Sequence, residues 1–130
     1  MKGVSSMESG MATLSKAWDE REGPAVLATV DAAGMPNVVY VGDIRYDARD
    51  GFVVADNYFC KTRANIKNGK PGAILFITKE RKSFQVKGAM TYHTEGPIFE
   101  SMKRWHDPKH PGVAAVVLRV EEAYSGAERL

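Results

Sequence analysis

Cysteine is nearly absent from this chain of 130 residues, where Cys60 stands alone. One thiol can form no internal disulfide and no cysteine-based zinc site, and such usage suits a reducing cytoplasm. A dominant charge sign is also lacking. The 18 basic and 16 acidic residues leave +2 and are scattered rather than gathered into basic runs, so nucleic acid is not implied. Long apolar runs are missing too. The longest, Val113 to Leu118, is broken by Arg119, far short of a membrane span. The first eleven residues, MKGVSSMESGM, hold one lysine and no apolar run, and are expected to be a loose leader rather than a secretory signal or an anchor. Glycine-rich nucleotide loops and serine nucleophile motifs are absent, which removes the foothold for Rossmann or hydrolase chemistry.

What is present reads as one domain over residues 12–130, a length that closes a single core. Met11, Leu14, Ala17 and Trp18 recur at helical spacing before Gly23-Pro24 and predict a short amphipathic helix lying across a barrel. Ala25 to Val30 and Val38 to Ile44 flank the turn at Asp31 to Gly34 and predict an antiparallel hairpin. Phe52 to Ala55 follows as a third strand. Lys61 to Asn68 reads as a short helix stopped by Gly69 and Pro71, and Ala73 to Thr78 as a buried strand. Ser83 to Thr94 alternates, with Phe84, Val86, Gly88, Met90 and Tyr92 on one face. Gly96-Pro97 opens a second helical piece carrying Ile98, Phe99, Met102 and Trp105, and Val113 to Val120 supplies the last strand. These elements describe a mainly β protein with short helices, a six-stranded antiparallel barrel.

The most informative segment runs from Ala55 to Asn65, where polar side chains gather at a strand-to-helix junction. An anion fits there, because Lys61 brings a charge, Thr62 a hydroxyl donor, and the helix start its free amides. The competing reading has Thr62 as an ordinary cap and Lys61 as a solvated lysine. His106 and His110 have metal-like spacing, but Pro108 interrupts the helix that would align them, so no metal site is assigned. Tyr40 and Trp105 read either as core or as flanks of a flat ring. Cys60 is given no catalytic role, and no catalytic acid or base stands out.

Four segments in order, LATVDAAGMPNVVYVGDI, FVVADNYFCKTRANI, FQVKGAMTYHTEGPIFE and AAVVLRVEEAYS, resemble the pyridoxamine 5′-phosphate oxidase-like FMN-binding split β-barrels, above all their short FMN-binding members. The resemblance covers residues 25 to about 125. It implies FMN as cofactor and a cytoplasmic homodimer with flavin at the subunit interface. It further implies an oxidoreductase or electron-transfer role, served by a redox partner or small-molecule substrate. By the same resemblance Lys61 and Thr62 grip the phosphate, with Asn65 following them. Val39, Tyr40 and Val41 pass the phosphate and ring, Asp56 and Asn57 meet the pyrimidine edge, and Trp105 comes from the opposite subunit. Two departures shape the expectation. The tail Ser125 to Leu130 lacks the arginine and histidine pair that holds substrate phosphate in the true oxidases, so oxidation of pyridoxamine phosphate is not expected. The usual arginine of the phosphate-binding strand is replaced near Val39, leaving more of the charge to Lys61. The alternative is a non-catalytic binding module that uses the same barrel for haem, a deazaflavin or another ligand.

Overall fold

A computed structural model describes residues 2–130, with side chains from Ser9 onward. The element order is α1 (Lys2–Asp19), β1 (Ala25–Val30), β2 (Pro36–Val41), β3 (Ile44–Asp47), β4 (Gly51–Asp56), α2 (Lys61–Lys67), β5 (Gly72–Ile77), β6 (Ser83–Gly88), β7 (Met90–His93), α3 (Pro97–Trp105), β8 (Ala114–Leu118), β9 (Glu122–Ser125) and β10 (Glu128–Arg129). One sheet has six strands in the order β10-β9-β6-β5-β1-β2, and the second has four in the order β3-β4-β8-β7. All pairings between named strands are antiparallel. The fold is thus the mainly β, split-barrel arrangement expected, with two sheets closing on one core.

The strand count exceeds the sequence reading because two long strands change sheets. Val38 to Ile44 breaks at Gly42-Asp43 into β2 and β3, and Ser83 to Thr94 breaks at Ala89 into β6 and β7. Such corners let one strand serve two sheets. Gly88 is needed at the second corner, since a Cβ there would lie 1.7 Å from the Arg119 carbonyl oxygen. β9 and β10 complete the larger sheet beyond the last strand expected. At the other end, helical backbone begins at Lys2, inside the stretch expected as a leader, and Met1 lies outside the described residues. Gly10 packs against the Leu130 main chain, which supports α1 ahead of Leu14.

The main core lies between the sheets, with Leu27, Ile74, Phe76 and Val86 facing Phe52, Val54, Val116 and Leu118, and with Leu14 and Trp18 of α1 beside them. A second cluster lies on the other face of the smaller sheet. There Val53, Ala55, Ala115 and Val117 meet Met102, packed by Ile98, Phe99 and Trp105 of α3. β4 and β8 are therefore covered on both faces, which is why their sequences are unbroken apolar runs instead of alternations. Among the described residues no helix is long and apolar enough to cross a membrane.

Trp18 is the hinge of the main core. It is 5 % exposed, and it meets Phe52 and Phe76 edge-on at centroid distances of 5.0 and 4.9 Å. Removing so large a buried aromatic strips both rings of their edge-on contact and leaves a cavity between them. Trp18→Ala is expected to lower stability by about 3–5 kcal/mol, read as a lower urea midpoint with little change in slope.

Candidate functional site

The site grows from the end of β4. Asp56 is the last residue of that doubly covered strand, and its side chain is fully buried. A carboxylate so placed must be satisfied by donors. Arg63 of α2 supplies Nε at 2.7 Å and Nη2 at 3.2 Å, Tyr92 of β7 donates its hydroxyl at 2.6 Å, and the Phe59 amide donates at 3.0 Å. Burial pushes the Asp56 carboxyl up, but the bonds from Arg63, Tyr92 and Phe59, with the guanidinium charge, outweigh it and hold it below the usual carboxylate range. The Tyr92 hydroxyl is pushed up to about 12 by burial and by its bond to Asp56. Arg63 is raised, mainly by the same hydrogen-bonded carboxylate. With both oxygens engaged, Asp56 anchors the junction between β4 and α2.

Asn57 turns outward to another set of partners. Its amide nitrogen donates to Asp43 Oδ2 at 3.3 Å, and its carbonyl oxygen accepts from the Gly112 amide at 2.9 Å. Asp43 in turn accepts from the Asp107 amide at 3.0 and 3.1 Å. Lys103 Nζ reaches the carbonyls of Pro111 and Gly112 at 2.8 and 3.1 Å. The loop after α3 is thereby stitched to the β2–β3 corner, and it carries His110 to a position 3.1 Å from the Tyr58 hydroxyl through Nδ1. His106, the partner considered for a metal, instead places its ring nitrogens 3.1 Å from the carbonyl oxygens of Lys103 and His110.

These elements enclose a cleft of about 260 Å³ lined by Val39, Tyr40, Val41, Gly42, Asp43, Ala55, Asn57, Tyr58, Phe59 and His110. Of the residues singled out from sequence, Val39, Tyr40, Val41 and Asn57 come together here. Lys61 and Thr62 follow two and three residues after the cleft wall at Phe59. Lys61 is exposed, and among the described residues no hydrogen bond or ion pair engages its ammonium. Thr62 is not the helix cap, a position held by Cys60 without a side-chain bond. Its buried hydroxyl accepts from Asn37 Nδ2 at 2.9 Å, while Asn65 Nδ2 donates to Thr29 at 3.0 Å, so Asn65 ties α2 to β1. Trp105 lies apart from the cleft of its own protomer, under the Arg45 guanidinium at 5.1 Å. Sequence reasoning missed Asp43 and Tyr92 as parts of this region, and it assigned no role to Tyr58 and Arg63 within the Ala55 to Asn65 segment. Only His110 had drawn attention, for a metal.

The fold is thus a split barrel that carries an aromatic cleft beside a strand-to-helix junction. Residues 14–125 match the model of the pyridoxamine 5′-phosphate oxidase family, and the chain belongs to that family. It is 32 % identical over 104 residues to an uncharacterised protein of Methanocaldococcus jannaschii, covering 76 % of this chain and 70 % of that one. Among solved structures it is similar to HupZ of Group A Streptococcus, at 27 % identity and a TM-score of 0.75, covering 88 % of this chain and 91 % of that one. An FMN-binding protein from Syntrophomonas wolfei superposes with a TM-score of 0.79 at 18 % identity, over 95 % and 90 % of the two chains. The haem storage protein HutZ from Vibrio cholerae does so at 0.64 and 19 %, over 88 % and 92 %. An F420 reductase gives 0.61 and 17 %, over 81 % and 91 %. These last three likenesses are of fold alone.

The Asp56 network carries a direct test. Its folded-state value is depressed, so its stabilisation is complete above the ordinary carboxylate value of about 4 and is lost as pH falls below it. Asp56→Ala is expected to cost about 1–3 kcal/mol by leaving the Tyr92 hydroxyl and the Phe59 amide without their acceptor while the part-exposed Arg63 turns to solvent, and Tyr92→Phe about 1.5–3 kcal/mol. Urea unfolding from neutral to acid pH should show a shallower acid loss in Asp56→Asn than in the native chain.

Proposed function

We propose that this protein binds FMN noncovalently and works as a homodimeric, cytoplasmic oxidoreductase or electron-transfer protein, with the flavin at the subunit interface. The observation that carries the reading is the placement of an aromatic cleft at an edge strand, directly before an unpaired lysine. β2 pairs only with β1, so half of its backbone donors and acceptors are free along Val39 to Val41. A flat heteroaromatic ring needs such in-plane partners and apolar walls, which Tyr40, Tyr58 and Phe59 supply. The phosphate is assigned to Lys61 and Thr62, whose hydroxyl accepts from Asn37 and keeps its own hydrogen for an incoming anion. Asn57 edges the ring, while Asp56 and Asn65 act by fixing the junction and α2. Trp105 faces away from the cleft of its own protomer and enters this reading only from the partner.

When bound, the isoalloxazine supplies the redox step, and the protein supplies position and electrostatics. A redox protein or a small molecule is the expected partner. A second reading places haem in the same cleft. It is favoured by His110, whose Nδ1 faces Tyr58 and whose Nε2 is left for a metal, and by the fold shared with HutZ.

The absorbance spectrum of the purified protein with and without added FMN separates the readings. A flavin spectrum is expected, and a Soret band or a deazaflavin spectrum in its place would overturn it. FMN should bind much more tightly than riboflavin. Lys61→Ala should weaken FMN binding by about tenfold to a hundredfold with riboflavin little affected. Lys67→Ala should change little, because that ammonium sits over the Tyr92 ring at 4.9 Å. Unchanged FMN affinity in folded Lys61→Ala would place the phosphate elsewhere.

A further inference from the structure

The cleft holds one anionic side chain, and no cation is paired with it. Asp43 lines the cleft at the β2–β3 corner, half-buried, and among the described residues it takes part in no ion pair. Its carboxylate accepts there from two donors. The Asp107 amide is shared between Oδ1 at 3.0 Å and Oδ2 at 3.1 Å, and Asn57 Nδ2 reaches Oδ2 at 3.3 Å. An ionised carboxylate offers about four lone-pair sites, so acceptor capacity is left over, chiefly on Oδ1.

Asn57, on the same cleft, has the opposite surplus. The Gly112 amide can donate only to an oxygen, which fixes the side-chain oxygen of Asn57 on that bond at 2.9 Å and leaves its nitrogen toward Asp43. One of the two Nδ2 hydrogens is spent there. The second is spare. A spare acceptor and a spare donor thus stand next to each other, joined by their own hydrogen bond, and both are held by main-chain amides of the loop after α3. Such a pair is complementary to a ring edge in which an N–H adjoins a C=O, the unit of a lactam or an imide. A porphyrin edge has no such unit, and its ionised carboxylates would meet the Asp43 charge.

We infer that Asp43 is a specificity-determining residue of the cleft, accepting the N–H of a cyclic imide while the spare Asn57 hydrogen goes to the adjoining carbonyl. The inference rests on the FMN reading, in which the imide is the pyrimidine edge of the isoalloxazine and the N–H is that of ring nitrogen N3. A bond to a full charge outranks a neutral one, and a ring without the N–H covers the carboxylate while leaving it unpaired. The penalty therefore falls on flat ligands that fit the aromatic walls but lack the imide hydrogen.

Titration of the full chain with FMN and with FMN methylated at N3 tests the assignment, because the methyl group removes the hydrogen and keeps ring and phosphate. The native chain should prefer FMN by about tenfold to a hundredfold. Asp43→Asn keeps an acceptor for the Asp107 amide but turns the second oxygen into a donor, so the preference should fall below about threefold with a cooperative melt retained. Comparing two ligands on one variant cancels any loosening of the loop, which would weaken both alike. The same preference in the native chain and in folded Asp43→Asn, or none in the native chain, overturns the assignment and leaves the flavin reading standing. A native chain that binds neither flavin overturns both. A folding failure of the variant leaves the native chain decisive. In bound, isotope-labelled FMN the N3 proton should exchange with water at least about tenfold more slowly than in free FMN, and an unprotected N3 proton overturns the assignment.

Discussion

The buried carboxylate of Asp56 is the constraint on which the rest of the site depends. A charge with no exposure survives only because α2, β7 and the Phe59 amide all direct donors at it. That requirement fixes where β4 stops, how the chain turns through Asn57 to Cys60, and at what angle α2 departs. The main chain adds to it, since the Asp56 carbonyl accepts from the Val113 amide at 2.8 Å and holds the entry to β8. One residue thereby joins both edges of the smaller sheet's centre to the helix that carries Lys61 and Thr62. Its energetic value is mostly negative in character: removing any donor strands a charge, so alternative packings of this junction are excluded.

Local elements were legible wherever the chemistry is local. β1 was read with its observed limits, and α2 and α3 to within a residue, because their caps, breakers and periodicity lie within a few positions of one another. The sheet corners were not. At Ala89 the alternation of Phe84, Val86, Met90 and Tyr92 continues through the break, and a change of sheet leaves the period intact. Gly42-Asp43 looked like strand for the same reason, although the Asp43 carbonyl already accepts from Ala55 across the corner. β9 was passed over because its residues are only half buried, at the border of the larger sheet.

The site was legible as a region and not as a set of roles. Lys61 could be picked out because a cation at a helix start suggests an anion whatever the tertiary structure, whereas Tyr40 read equally as core or as the flank of a ring until the resemblance placed it. Asp56 and Asn57 stand side by side in sequence yet face different partners. One meets Arg63 seven residues on and Tyr92 36 residues on; the other meets Gly112 55 residues on. Nothing in the neighbourhood of either residue records such distant donors. Asp43 was invisible for the same reason, since its main service is to the Asp107 amide 64 residues away.

The two walls of the cleft differ in how they are held, and that difference bears on affinity. The wall bearing Tyr58 and His110 is fastened in advance by Asp43, Asn57 and Lys103, so a ligand entering there orders no loop and loses little binding energy to conformational entropy. The opposite side, at Tyr40, is open in a single protomer. If a second copy closes it, ligand binding and self-association become linked equilibria, and each must strengthen the other by the same factor. Affinity measured at low protein concentration would then report the monomer's half-built cleft, and the same titration at high concentration the completed one.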